Sequence, residues 1–165
     1  IRTTEADGRF GRGWGSQARR ALIPVPESLI SHLGIAVKDL ESSIRLWSVL
    51  LGHSPIIVTE VPDQKVRVAI FPPATSAAGG RIELVAPTSA DSPISRFLSS
   101  RGEGLHHVCV FVDDLESRLR ELKSAGVRLI DETPRIGAEG HRIAFVHPIG
   151  ANGVLLELEE RTQKG

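Results

Sequence analysis

The chain has 165 residues and a single cysteine, Cys109, so no disulfide can close within it. One free thiol is compatible with a reducing compartment. No apolar run approaches the roughly 20 residues that a bilayer-crossing helix needs, which gives no support to a membrane role. Charge of one sign is also missing. Twenty Lys and Arg are balanced by twenty Asp and Glu, and without a basic surplus a general nucleic-acid-binding role has no electrostatic support. There is no initiating methionine, so the chain is expected to be a piece of a longer one. What is present is ordinary for a globular protein: 41% apolar and 24% charged residues, enough for one domain or two very small half-domains.

The first 30 residues differ from the rest. They carry Arg2, Arg9, Arg12, Arg19 and Arg20 among glycines, with little apolar periodicity. We read residues 1–30 as a flexible arm. Its Arg-rich, acid-poor character fits a transit-peptide remnant, and a vector-derived leader is the plain alternative.

From residue 31 onward the chain repeats itself. An offset of 75 aligns His32 with His107 and Asp39-Leu40-Glu41-Ser42 with Asp114-Leu115-Glu116-Ser117. It also aligns Arg67 and Ala69 with Arg142 and Ala144, and Pro73 with Pro148. One residue is then lost, and at an offset of 74 Gly79 meets Gly153 and Glu83 meets Glu157. So many matches in one order indicate a tandem duplication. Module one spans 31–87, a connector 88–104 and module two 105–160.

Each module reads as βαβββ. "HLGIAV" and "HHVCVFV" are β-like runs. Asp39 and Asp114 then stand as N-cap candidates, ahead of helices whose stripes are Leu40, Ile44 and Trp47 in one and Leu115, Leu119 and Leu122 in the other. Gly52 and Gly126 occupy helix C-terminal positions that favour positive φ. "IIVTEV" and "RLIDE" are expected as second strands, "KVRVAIF" and "HRIAFV" as third, "GRIELVA" and "GVLLELE" as fourth. Pro93 opens a short connector helix. The fold class is therefore α+β, with two tandem βαβββ modules forming a cupped, mostly antiparallel sheet and helices on its outer face.

Strand alternation assigns the faces. Leu33, Ile35 and Val37 cover the first helix, which turns His32, Gly34 and Ala36 to the other side. Val108, Val110 and Val112 do the same in module two, which turns His107, Cys109 and Phe111 inward. With Ile82, Leu84, Leu156 and Leu158 facing helices, Glu83 and Glu157 point away from them, with the histidines. A carboxylate in an apolar strand is costly unless its charge is compensated. Two imidazoles and two carboxylates, with no Lys or Arg at those four points, form a ligand set for a divalent transition metal.

At these residues the sequence resembles the vicinal oxygen chelate superfamily and, through "GEGLHHVCVFVDDLES", "GVRLIDETPRIGAEGHRIAFVHP", "GVLLELEE" and "IELVAPTSADSPISRFL", its methylmalonyl-CoA epimerase branch. The resemblance covers about 31–160. It implies metal ligands at His32, Glu83, His107 and Glu157, with cobalt favoured and zinc, manganese, nickel or magnesium possible. It implies methylmalonyl-CoA as substrate, no nucleic-acid or membrane partner, a homodimer, and the mitochondrial matrix in a eukaryote or the cytoplasm otherwise. Some members carry Gln at the position of Glu83, so this site has one more negative charge than theirs.

The implied chemistry is removal and return of the C2 proton through an enolate that a bound metal stabilises. Some members place a glutamate on the third strand where this chain has Val68. Glu157 is then the candidate for both ligand and base, and a water on the metal is the alternative. Among other histidines, His106 is expected to face away and to cap or pack, His141 to lie at the surface, and His147 to make a structural hydrogen bond beside Pro148. Cys109 is expected to be a packed residue. Gln64 and Lys65 are expected to be solvated. Two other functions fit the same scaffold: a glyoxalase I-type isomerase of glutathione thiohemiacetals, and a metal-free ligand-binding protein of the drug-sequestering type.

Overall fold

A computed structural model describes residues 29–73 and 80–162. The arm assigned to residues 1–30 lies, up to residue 28, outside the described residues. Module one contributes β1 (Ile30–Ala36), α1 (Leu40–Leu51), β2 (Ile57–Val61), β3 (Val66–Phe71) and β4 (Arg81–Pro87). After α2 (Pro93–Arg101) come β5 (Gly104–Val112), α3 (Leu115–Ser124), β6 (Arg135–Ile136), β7 (Arg142–Val146) and β8 (Leu156–Glu160).

All eight strands join one curled, mixed sheet in the order β2-β3-β4-β1-β5-β8-β7-β6. Read from its centre, the order is the same in both directions: first strand, fourth, third, second. β1 and β5 meet antiparallel at the seam, with Gly34 opposite His107. β1 pairs parallel with β4, and β5 parallel with β8. The remaining pairs are antiparallel. Two first strands side by side, each flanked by its own fourth strand, bring the repeated His and Glu positions together.

The helices form where their caps and stripes allow. Asp39 Oδ1 accepts from the Ser42 amide at 2.6 Å, and Asp114 Oδ1 from the Ser117 amide at 2.8 Å. Both bonds satisfy an otherwise unpaired first-turn donor. Gly52 ends α1 at φ 76°, where any Cβ is strained. The apolar stripes then face the sheet. Leu40, Ile44 and Trp47 pack with Ala69, Phe71 and Leu84, and Leu115, Leu119 and Leu122 pack with Ala144, Val146 and Leu158. α2 lies on the opposite face of module one, over Ala36, Val66, Val68 and Val85. That helix covers the inner face beside the seam.

One expected strand does not form. "RLIDE" makes only a bridge between Leu129 and Val146, and β6 appears several residues later. The amides of Ile130 and Asp131 both donate to the Phe145 carbonyl, while the Phe145 amide donates to the Asp131 carboxylate at 2.8 Å. A side chain thus takes a ladder bond that a backbone carbonyl should have made, and Pro134 follows with no amide to offer.

The packing has a direct consequence for stability. Leu119 is 3% exposed and Val49 is 81% exposed. Leu119→Ala is expected to cost about 2–5 kcal/mol through the lost burial and the cavity it leaves, whereas Val49→Ala is expected to change stability by less than about 0.5 kcal/mol. Urea-unfolding midpoints of the two variants check this.

Candidate metal and substrate site

The four repeated residues meet at the seam. His32 comes from β1, Glu83 from β4, His107 from β5 and Glu157 from β8, and all four are buried. The two imidazole Nε2 atoms are 3.1 Å apart. Glu157 Oε2 lies 3.1 Å from His107 Nε2 and 3.4 Å from His32 Nε2. Glu83 Oε2 lies 3.4 Å and 3.7 Å from the same two nitrogens.

Four of these five separations match the spacing of ligand atoms around one ion, and Glu83 Oε2 lies farther from His32. Ligand atoms bonded at about 2.1 Å to one metal sit about 3.0–3.4 Å from each other in octahedral or tetrahedral arrangements. The donor set is nitrogen and oxygen, and no lysine or arginine stands among the four atoms. The residues therefore fit a divalent cation.

The electrostatics carry the same signature. Burial works against a charged His107, but bonds and charges from Glu157 and Glu83 outweigh it and raise its pKa to about 10. Burial likewise opposes ionisation of Glu157, yet bonds from His107 and His32 hold its carboxyl below the ordinary range. A proton is retained where the carboxylates demand positive charge, and a metal ion must displace it.

A layer behind His32 escaped the sequence reading. Glu159 is 2% exposed and faces inward beside Glu157. It accepts from Ser31 Oγ, contacts Arg81 Nη2 at 3.1 Å and meets His141 Nδ1 at 2.5 Å. Burial raises its pKa, but the Ser31 and His141 bonds and the Arg81 charge overcome that and keep it low. Alternation could have found it, because residues 157 and 159 share a face. Arg81 also pairs with Glu139, so its positive charge is committed here rather than to the four converging residues. His141, expected at the surface, is instead Glu159's partner.

His106 packs as expected but does not face away from the site. Its Nδ1 is 3.0 Å from His107 Nδ1, and its ring packs edge-on against Phe97 of α2 with centroids 4.9 Å apart. Burial, then the neighbouring His107 charge, lowers its pKa to about 4. Alternation fails here because the β1–β5 register shifts beside it. His147 does make the expected local bond, accepting from the Ile149 amide at 3.1 Å. Cys109 is fully buried and its thiol is pushed up, first by burial and then by Glu157 and Glu159, so it is a packed group and not a thiolate.

A cavity of about 410 Å³ opens onto Glu83, His107 and Glu157. Val68, Val85, Ile94 and Phe145 give it apolar walls. Lys65 and Arg135 bring positive charge to its lining, the first paired with Asp91 and the second with Asp131 at 3.2 Å. Gln64 and Lys65, expected to be solvated, thus border the cavity. His32 faces a separate small pocket of about 20 Å³ with Glu139, His141 and Glu159.

The sequence matches the profile of the Glyoxalase/Bleomycin resistance protein/Dioxygenase superfamily over residues 31–145. A mitochondrial methylmalonyl-CoA epimerase from Dictyostelium discoideum is 34% identical over 165 residues, covering 98% of this chain and 97% of that one. The crystal structure of methylmalonyl-CoA epimerase from Mycobacterium tuberculosis is 40% identical, with a TM-score of 0.75 over 82% of this chain and 91% of that one. A variant Streptomyces coelicolor methylmalonyl-CoA epimerase in complex with 2-nitronate-propionyl-CoA is 29% identical, with a TM-score of 0.75 over 83% of this chain and 96% of that one.

One glycine holds the site open. Gly34 lies opposite His107 across the seam, and a Cβ there would overlap three atoms of the imidazole ring. That ring is hemmed in by Phe145, His106 and Glu157 and has little room to yield. Gly34→Ala is expected to leave the far-UV circular dichroism spectrum intact while lowering divalent-ion affinity at least tenfold, measured by calorimetric titration.

Proposed function

The chain belongs to the glyoxalase/bleomycin resistance protein/dioxygenase superfamily, in its methylmalonyl-CoA epimerase branch, and is an isomerase; from that premise we propose that it interconverts the C2 epimers of methylmalonyl-CoA. The observation that carries this reading is the buried convergence of one His and one Glu from each module beside an apolar cavity.

His32, Glu83, His107 and Glu157 would hold the ion. A divalent cation there would supply the positive charge that acidifies the C2 proton and stabilises the enolate left behind. Cobalt is the favoured ion, with zinc, manganese, nickel or magnesium as alternatives. The need for such charge follows from the base itself. Glu157 is a carboxylate held below its ordinary pKa, so it is a weak base and the C–H must be made more acidic to meet it.

Epimerisation also needs a group on the other face of the enolate. Val68 lines the cavity where some relatives carry a glutamate and can move no proton. Glu83 stands where some relatives carry Gln, so its part is to hold the ion, and a water at the site is the candidate for the second face. The apolar walls exclude water from the enolate and strengthen every charge interaction in the site. Lys65 and Arg135 supply cationic groups suited to the phosphates of coenzyme A.

A mitochondrial setting in a eukaryote is supported by relatives named as mitochondrial, those of Dictyostelium discoideum and Mus musculus among them. Among the described residues no helix is long and apolar enough to cross a membrane. A homodimer belongs to the same reading. β2 ends the sheet, and Ile56 and Val58 beside and within it are 62% and 48% exposed, which gives a physical motive for pairing.

The test is deuterium uptake at C2 of methylmalonyl-CoA in D2O, with and without a chelator. Chelation should stop both exchange and epimerisation, and added Co2+ should restore them. Glu157→Gln should abolish exchange. Glu83→Gln, which keeps a ligand oxygen, should retain both exchange and interconversion. Exchange that is indifferent to chelator and to Glu157→Gln, or turnover of the methylglyoxal–glutathione adduct instead, would contradict the proposal.

A further inference from the structure

Each ligand histidine follows a residue that strand alternation should turn away from it, yet in both modules that residue reaches the histidine's Nδ1. The register of β1 against β5 shows why. Ile30 pairs with Val110 and His32 with Cys109, which leaves Ser31 as an extra residue. Gly34 pairs with His107 and Ile35 with Leu105, which leaves His106 as another. Ser31 and His106 therefore sit at two β-bulges, and the 75-residue repeat superposes one on the other. A bulge bends its strand and re-aims a side chain.

The hydrogen-bond inventory around Ser31 leaves His32 no choice. Ser31 Oγ lies 3.1 Å from His32 Nδ1. A hydroxyl has one hydrogen to donate and two lone pairs to offer. Arg81 can only donate, and its Nη2 takes one lone pair at 2.5 Å. Glu159, ion-paired with Arg81, accepts the hydroxyl hydrogen. What remains for His32 is a lone pair, so Nδ1 must carry the hydrogen. In the neutral ring Nε2 is then bare, and Nε2 is the atom that faces Glu83, His107 and Glu157. In module two, His107 Nδ1 meets His106 Nδ1 at 3.0 Å, and His106 is held in place by Phe97.

We propose that Ser31 and His106 are matched positioning residues, each taking the Nδ1–H of the histidine that follows it and so presenting a bare Nε2 to the ion. Arg81 and Glu159 complete the arrangement in module one by fixing the direction of the Ser31 hydroxyl. In this role the paired bulges add a second device to the duplicated ligands. The inference rests on the metal reading above and deepens it. Removal of a hydrogen-bond partner of a ligating imidazole commonly weakens metal binding about 10–100-fold.

The experiment titrates the chelator-stripped 165-residue chain with Co2+ by calorimetry and compares two pairs of variants. Ser31→Ala removes the acceptor, and Ser31→Thr keeps it. His106→Leu removes the acceptor, and His106→Asn keeps it at the position of Nδ1. Ser31→Ala and His106→Leu are expected to bind Co2+ about 10–100-fold more weakly, while Ser31→Thr and His106→Asn stay within a few-fold of the parent. His106 is only half-buried, so its pair decides the matter if Ser31 variants do not fold. Equal binding by all variants, or equal losses within each pair, overturns the positioning role. If the parent chain itself takes up no Co2+, the failure lies with the metal site and not with this inference alone.

Discussion

Two carboxylates buried beside the same pair of imidazoles are unstable without positive charge, and this chain spends four strands on holding them there. Glu83 and Glu157 each lie beside both imidazoles at 3.1–3.7 Å. Their mutual repulsion grows as burial removes the screening of water. A proton on His107 relieves it in part, which is why that imidazole is drawn upward. A divalent ion held by the four side chains would relieve it better, because it would bring two positive charges to both carboxylates at once. Much else in the sheet follows from that requirement: β1 and β5 paired at the centre, each fourth strand beside its own first strand, and a glycine opposite His107 to make room.

A single module cannot meet the requirement, since it carries one His and one Glu. The duplication solves this with a seam in place of a new strand, and the antiparallel β1–β5 pair brings the two half-sites face to face. Divergence between the halves then has somewhere to act. Glu159, Arg81 and His141 form a charged layer behind His32 alone, while the His107 side opens to the apolar cavity. One half of the duplicated site serves as the anchored back wall and the other faces the cavity.

The four converging residues were legible in the sequence because each is fixed by two independent signals, strand alternation and the repeat. A helix-facing Ile82 and Leu84 force Glu83 to the other face, and the 74-residue offset then assigns Glu157 the same role. The caps at Asp39 and Asp114 were readable for a similar reason, since a local bond depends on neighbours three residues away. Failures fell where one side chain overrides the backbone pattern. Asp131 takes the Phe145 amide and cancels the strand expected at "RLIDE". The bulges at Ser31 and His106 break alternation just where it was used to turn His106 away. Glu159 was visible to alternation but had no repeat partner to flag it, because Val85 stands at the matching place in module one. Lys65, Arg135 and His141 come to the site from loops and edges, where periodicity carries no information.

The most direct measurement is X-ray diffraction at the cobalt absorption edge from crystals of the chain grown with Co2+. The account predicts one anomalous peak per chain at the seam, about 2.0–2.3 Å from Nε2 of His32, Nε2 of His107 and a carboxylate oxygen of both Glu83 and Glu157. An ion bound by residues of one module only, or a seam with no peak while cobalt binds elsewhere, would contradict it.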